Sequence, residues 1–331
     1  MSNGQTPESL DVGVYGVGTM GGYHARVYNE LPGVDLVGVC DADSERARSV
    51  ASEHDTRVQD PASLFSAVDA LSITVPTNAH YDVAREAIER GIHVLVEKPF
   101  VENDDQADRL IQAADEAGVV LQVGHIERFN PAIRTLVDIV PDLDIIAVDA
   151  QRLGPPIDRQ VKTSVALDLM LHDLDVALTI VDSPVDTVAA TGTRDNRYVN
   201  ASLTFENGVV GTFTASRLTQ QKVRTLSITA SDCKVDVDYI DRSVRIHRKS
   251  LPEFVANDGE VRYRHESLIE RPIVENGEPL KKELSSFVDS VRTGETPVVT
   301  GEDGRRVLSL AKRIDDIAAR SPQEAPTNVT N

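Results

Sequence analysis

The turn Gly16-Val17-Gly18-Thr19-Met20-Gly21 constrains this chain more than any other stretch. A GxGxxG pattern alone is weak. Here it follows the apolar run Val12–Tyr15 and opens a helical pattern from Thr19 to Leu31, the context a phosphate-binding turn requires. Gly16 permits the tight turn, Gly18 lets backbone approach a pyrophosphate, and Gly21 lets helix and strand pack closely. Phosphates would then rest on the free N–H groups of a helix N-terminus, where the peptide dipoles favour anions. The next strand, 34–41, closes on Asp41, twenty residues past Gly21. A carboxylate there accepts from an adenosine ribose 2′-hydroxyl and repels a 2′-phosphate, so residues 11–41 predict a dinucleotide-binding βαβ unit that prefers NAD. Arg46 and Arg48 lie close by and keep NADP open, and Asp41 can also be read as a cap for the following helix.

Beyond the turn, strand and helix patterns alternate. Strands are predicted at 70–76, 92–99 and 119–124, and helices from Ser44 as cap, over 78–90 ending at Gly91, and over 103–117 ending at Gly118. The strands are continuous apolar runs, the mark of a parallel sheet buried on both faces. Residues 11–124 are therefore expected to form a doubly wound Rossmann domain of α/β class. After residue 124 the pattern changes to a helix at 130–140 and strands at 144–153, 185–194, 199–206, 209–217, 223–231, 234–239 and 242–248. Asn207-Gly208 signals a hairpin, and helices are predicted at 166–181, 279–292 and 302–319. Residues 125–320 are expected to form an α+β domain with a mostly antiparallel open sheet, the last helix free to pack on either domain, with polar tails at 1–10 and 321–331.

Composition removes several functions. A chain of 331 residues suffices for two cores. A net charge of −19, spread along the sequence, argues against nucleic-acid binding, which needs a basic footprint. No apolar run approaches a membrane span, and the polar start lacks a secretion signal, so a cytoplasmic location is expected. Cys40 and Cys233 have no metal spacing, and Cys40 reads as a buried core residue. Acidic excess with scarce lysine is the surface chemistry of salt-loving organisms, and it predicts that stability rises with salt; an ordinary acidic protein is the alternative.

Two further places carry chemistry. Glu97-Lys98-Pro99 closes the strand at 92–97, at the strand edge where ligands bind in such sheets. Lys98 there can hold a substrate oxygen, or be a solvated surface lysine. In Leu167–Asp175, Asp168, His172 and Asp175 fall on one face at about 100° per residue. Asp168 and His172, four apart, suit a general base with a carboxylate companion; a histidine satisfied structurally by an aspartate is the competing reading. No further histidine is spaced to complete a metal site, so no metal is expected.

GVGTMG (16–21), VEKPF (96–100) and DLMLH (168–172), in this order and spacing, resemble the glucose–fructose oxidoreductase / inositol dehydrogenase (Gfo/Idh/MocA) family over about residues 11–320. The resemblance implies a Rossmann domain followed by an α+β domain whose open sheet mediates homo-oligomers, and hydride transfer from a sugar or polyol hydroxyl to NAD(P). It implies Lys98 at the reacting hydroxyl, His172 as proton acceptor, Asp168 as its companion and Glu97 at the nicotinamide ribose. It further implies Val75, Pro76, Thr77 and His80 along the dinucleotide, although His80 could equally be only a helix-start residue. Within the family, GHIERFNP (124–131), RLGP (152–155) and DLMLHDLD (168–175) resemble archaeal enzymes that oxidise the 3-hydroxyl of UDP-N-acetylglucosamine. Arg128, Asn130, Arg152 and Arg159 are then candidates for holding a nucleotide sugar, and surface ion pairs are the alternative for the arginines. Oxidation of a free sugar or inositol, reduction of a keto compound, and dinucleotide binding without chemistry are the rival functions.

Overall fold

The computed structural model describes residues 9–156, 163–249, 253–257, 260–264 and 267–320. It divides into two compact units, residues 1–129 with 277–309, and residues 130–276 with 310–331.

In the first unit, strands and helices alternate: β1 Leu10–Tyr15, α1 Thr19–Glu30, β2 Val34–Cys40, α2 Ser44–Glu53, α3 Pro61–Phe65, β3 Ala70–Ile73, α4 Thr77–Glu89, β4 His93–Glu97, α5 Asp104–Ala117 and β5 Leu121–Gly124. The five strands form a parallel sheet in the order β2-β1-β3-β4-β5. A single parallel bridge, Val39 to Val58, adds one residue of a further strand outside β2. The strand order reverses between β1 and β3. At such a switch point loops diverge to opposite faces and leave a crevice for ligands. Buried residues run continuously along β3 and β5, as a sheet covered on both faces demands. Helix starts and stops follow local chemistry. Asn103 caps α5 by accepting from Gln106 N, and Gly118 ends it at φ +66°. Helix α2 begins at Ser44 as expected, but Asp43 is its cap, accepting from Glu45 N and Arg46 N.

The second unit contains α6 Pro131–Ile139, β6 Ile145–Leu153, α7 Leu171–Val181, β7 Val185–Thr193, β8 Tyr198–Phe205, β9 Val210–Ser216, β10 Val223–Ala230, β11 Cys233–Asp238, β12 Ser243–Lys249, β13 Glu253–Asn257, β14 Glu260–Arg264 and β15 Ser267–Glu270. Eight strands form one sheet in the order β15-β12-β11-β10-β6-β9-β8-β7, and β13 pairs with β14 separately. Pairing is antiparallel except between β6 and β9. Gly208, at φ +85°, turns the β8–β9 hairpin that Asn207-Gly208 signals.

The expected boundaries change in three places. The division falls after Phe129 rather than after residue 124. Leu10 already pairs with Val34, so the N-terminal tail is shorter than residues 1–10; the tail at 321–331 lies outside the described residues. Residues 277–309, expected in the second domain, belong to the first unit. The reason is an apolar stripe: in α8, Pro279–Thr293, residues Leu280, Leu284, Phe287 and Val288 join the core around Val14, Ala25 and Tyr28. The last helix, α9 Gly301–Ala319, is shared, its first turns counted with the first unit and the rest from Leu310 with the second.

Candidate functional site

The glycine turn sits at the carboxyl end of β1. Gly16 holds φ +92°, and a Cβ there would come within 2.8 Å of the Val75 nitrogen. A Cβ on Gly21 would lie 1.9 Å from the Gly16 carbonyl oxygen, so only glycine lets α1 close on the turn. Gly18 differs: an added Cβ would meet only the Arg46 guanidinium, at 3.8 Å, which leaves the space before it open. Gly18 caps α1 without a side-chain hydrogen bond, and the first turn of α1 holds no acid. An open backbone approach and a helix N-terminus without a carboxylate fit a pyrophosphate. The Thr74 hydroxyl donates to the Gly16 carbonyl and braces the turn from just beyond β3.

Asp41 does two things at once. Its carboxylate accepts from Val17 N at 2.7 Å and from Asp43 N at 2.7 Å, which ties the end of β2 to the glycine turn. An ionised carboxylate has about four acceptor positions, so capacity for ribose hydroxyls remains. Arg46 is held by Asp43 at 2.9 Å and stands 3.6 Å from Asp41, and Arg48 donates to the Ser44 hydroxyl. Capping of α2 falls to Asp43, not to Asp41.

After β3, Val75 and Pro76 lead into α4 at Thr77. His80 does not line this loop through its ring nitrogens. It is buried, with Nε2 2.8 Å from the Val75 carbonyl and Nδ1 3.0 Å from the Pro99 carbonyl. It ties the loop after β3 to the segment after β4. The burial of Cys40 pushes its thiol up, consistent with an inert core residue.

Glu97 ends β4 and is buried. His24 Nε2 is 3.2 Å from one carboxylate oxygen, and Lys98 N donates to the other at 3.1 Å. Burial alone would raise the Glu97 carboxyl. The His24 hydrogen bond, the Lys98 charge and the Lys98 amide outweigh it and hold the group below the usual carboxylate range. Lys98 follows, partly exposed. His24 escaped the sequence reading, although a signal was there. Gly21, His24, Ala25 and Tyr28 form the buried i, i+3, i+4, i+7 stripe of α1, and a histidine on such a stripe needs a partner.

In the second unit, Asp168 lies in a single wide turn of π-helix, Ala166–Met170, that runs directly into α7 carrying His172. Such turns place an extra residue in a helix and recur at functional sites. Asp168 is ion-paired with Arg217, which also donates to the Thr163 carbonyl at 2.9 Å. Arg217 was not singled out from the sequence. Asp168 and His172 are both partly exposed, whereas Asp175, expected on the same face, is wholly buried.

Three expected substrate residues have structural partners in the fold. Arg152 is buried, makes a bidentate pair with Asp173 at 2.8 and 2.9 Å, and lies 5.1 Å over the Tyr239 ring. Asn130 is buried as the cap of α6, accepting from Ala132 N and donating to the Tyr239 carbonyl. Arg128 donates to the Val298 carbonyl and pairs with Asp303 at 3.4 Å. Arg128 and Arg152 are thus both in ion pairs, and both pairs are largely buried. Arg159 lies outside the described residues. Among the described residues, no three metal-ligating side chains are grouped to hold an ion, and no helix is long and apolar enough to cross a membrane.

Residues 10–125 match the oxidoreductase family with an NAD-binding Rossmann fold, and residues 149–235 match the GFO/IDH/MocA C-terminal domain. The chain belongs to the Gfo/Idh/MocA oxidoreductase family. It is 34% identical over 313 residues to the UDP-N-acetylglucosamine 3-dehydrogenase of Acidithiobacillus ferrooxidans, covering 92% of this chain and 96% of that one. A solved structure of that enzyme superposes with a TM-score of 0.85 at 31% identity, covering 94% of this chain and 98% of the other. The myo-inositol 2-dehydrogenase of Thermotoga maritima is 26% identical, covering 91% of this chain and 94% of the relative. Levoglucosan dehydrogenase in complex with NADH shares the fold, with a TM-score of 0.79 at 19% identity, covering 96% of this chain and 100% of that one. The chain is thus an NAD(P)-dependent oxidoreductase acting on CH–OH donors.

Proposed function

We propose that this protein oxidises the 3-hydroxyl of UDP-N-acetylglucosamine with NAD as acceptor. The observation that carries the substrate is the 34% identity, over nearly the whole length of both chains, to an enzyme named for that reaction. NAD over NADP rests on Asp41, a carboxylate tied to the glycine turn, with Arg46 already engaged by Asp43. Gly16, Gly18, Thr19, Met20 and Gly21 would hold the pyrophosphate, Asp41 the adenosine ribose, and Val75, Pro76 and Thr77 the stretch beyond it. A bound nicotinamide supplies the acceptor for the hydride of the carbinol carbon.

This chain's own residues do the rest. Lys98 holds the reacting oxygen and stabilises negative charge developing there. His172 takes the hydroxyl proton, and Asp168 steadies the imidazolium that results. Arg217 keeps Asp168 in place. The reading carries with it a cytoplasmic homo-oligomer associating through the second unit's sheet, which light scattering on the purified protein checks.

The deciding experiment follows NADH absorbance with UDP-N-acetylglucosamine, N-acetylglucosamine, glucose and myo-inositol. Turnover on the nucleotide sugar with little on the others is expected. Preference for inositol would move the protein to the inositol dehydrogenase reading that its 26% identical relative supports. NAD binding without turnover on any of them would favour a regulator.

A further inference from the structure

Behind Lys98 runs a buried chain of polar groups. The Tyr28 hydroxyl and the Ser72 hydroxyl are 2.8 Å apart, Ser72 is 3.0 Å from His24 Nδ1, and His24 Nε2 is 3.2 Å from Glu97. Tyr28, Ser72 and His24 are fully buried and Glu97 nearly so. The chain crosses from α1 to β3, returns to α1 and ends on β4, so the core itself fixes every link. Glu97 has no room to wander. A Cβ on Gly124 of β5 would come within 3.1 Å of its carboxylate, which therefore lies against bare backbone. The carboxylate's other oxygen receives the Lys98 amide.

We propose that His24 is a positioning residue for Lys98: it holds the Glu97 carboxylate in the one orientation that fixes the Lys98 backbone, and thereby the direction in which the lysine leaves β4. This rests on the reading of Lys98 as the group that holds the reacting oxygen. Polar groups at this depth cost stability unless each serves a partner. An apolar α1 stripe would pack against the sheet equally well, so this histidine is placed for what it holds.

Glu97 faces His24 from α1, bare Gly124 from β5 and the charge of Lys98 beside it, with Ser72 of β3 and Tyr28 of α1 lined up behind His24. Glu283 of α8 acts on Tyr28 at the far end of the chain, and His125 follows Gly124 in sequence. Without the His24 bond, the buried Glu97 carboxylate loses one of the groups that hold it low and the contact that fixes its orientation. A carboxylate free to turn holds the Lys98 amide less squarely, and the lysine loses its fixed departure.

The test uses full-length protein and three substitutions. His24→Leu fills the space and removes both bonds. His24→Asn keeps reach to Ser72 and loses Glu97. His24→Gln keeps a donor toward Glu97. Leu and Asn are expected to lower kcat by about a hundredfold, since misplacement of about an ångström costs that much. Their Kd for NAD should stay within about threefold. Gln should restore kcat. If Leu and Gln behave alike, His24 is only structural and the proposal fails.

A second readout needs no substrate. Reductive methylation of Lys98, followed by mass spectrometry with half-exposed Lys281 as the internal reference, should change in rate by about threefold or more in Leu and Asn but not in Gln. An unchanged rate in all three overturns the proposal. Wild-type inactivity on UDP-N-acetylglucosamine with the labelling pattern intact would instead overturn the substrate assignment alone.

Discussion

The two units differ in what holds the carboxylate beside their candidate catalytic group, although the first also keeps an arginine pair, Arg128 with Asp303. In the first, the Glu97 carboxylate is held by an imidazole, with hydroxyls behind it and a lysine beside it. In the second, Asp173 and Asp168 are held by the guanidinium groups of Arg152 and Arg217. A guanidinium stays charged at every pH a protein meets and offers a rigid fork, whereas an imidazole changes charge within the working range. The second unit's pairs are therefore rigid forks on single carboxylates, whereas in the first unit Glu97 is one end of a chain that runs through a ring to two hydroxyls. The arginines the sequence offers for a diphosphate, Arg128 and Arg152, are also ones the fold pairs with its own aspartates.

The sharpest way to break this comparison is to remove one group from each unit. Lys98→Ala and His172→Ala should each lower kcat by roughly 10³-fold or more while NAD binding, read by ligand fluorescence, persists. Near-normal turnover in either would remove that residue from the mechanism. Next in size is the scaffold itself. Arg152→Met leaves Asp173 buried beside no guanidinium and should cost about 3 kcal/mol in a urea melt, whereas Arg152→Met with Asp173→Leu should recover most of it. A double variant as unstable as the single would mean that the pair does more than neutralise itself. Asp41→Ala should shift the NAD to NADP preference by roughly tenfold toward NADP, as loss of charge-assisted bonds and of repulsion predicts; an unchanged ratio sinks the ribose role.

Smaller effects test the first unit's carboxylates. Arg128 and Thr300 outweigh burial and hold the Asp303 carboxyl below the usual range. A depressed carboxylate stabilises the fold above its unfolded pKa of about 4, and that contribution disappears as pH falls through the folded value. Acid unfolding of Asp303→Asn should therefore lack part of the pH dependence seen in the wild type. The smallest expected effect is global. With a net charge of −19, the melting temperature should rise by a few degrees between low and molar salt. A flat response would remove the halophilic reading.

These contrasts also show what a sequence can carry. The glycine turn was legible because its chemistry is local: strand, turn and helix lie within twenty residues, and the structure places each as expected. The helices and most strands were legible for the same reason, down to the hairpin at Asn207-Gly208. Asp43 displaced Ser44 as a cap because both types can fill that position and only backbone geometry chooses. The partners of the functional residues were not legible. Glu97 finds His24 across 73 residues, and Asp168 finds Arg217 across 49. Such meetings are set by sheet order and register, which no window along the chain contains. The wide turn at Ala166–Met170 defeats periodicity directly, since an extra residue breaks the 3.6 repeat on which the one-face reading of Asp168, His172 and Asp175 was built.

The return of residues 277–309 to the first unit bears on how this chain can be cut and recombined. Residues 1–129 expressed alone would lack Leu280, Leu284, Phe287 and Val288, which share a core with Val14 and Tyr28. A fragment ending at Phe129 would thus present an apolar face to water and is expected to aggregate. Anyone grafting this cofactor half onto another substrate half has to transplant two separate pieces of gene, with one junction inside α9. The coenzyme module is contiguous in space and discontinuous in the reading frame.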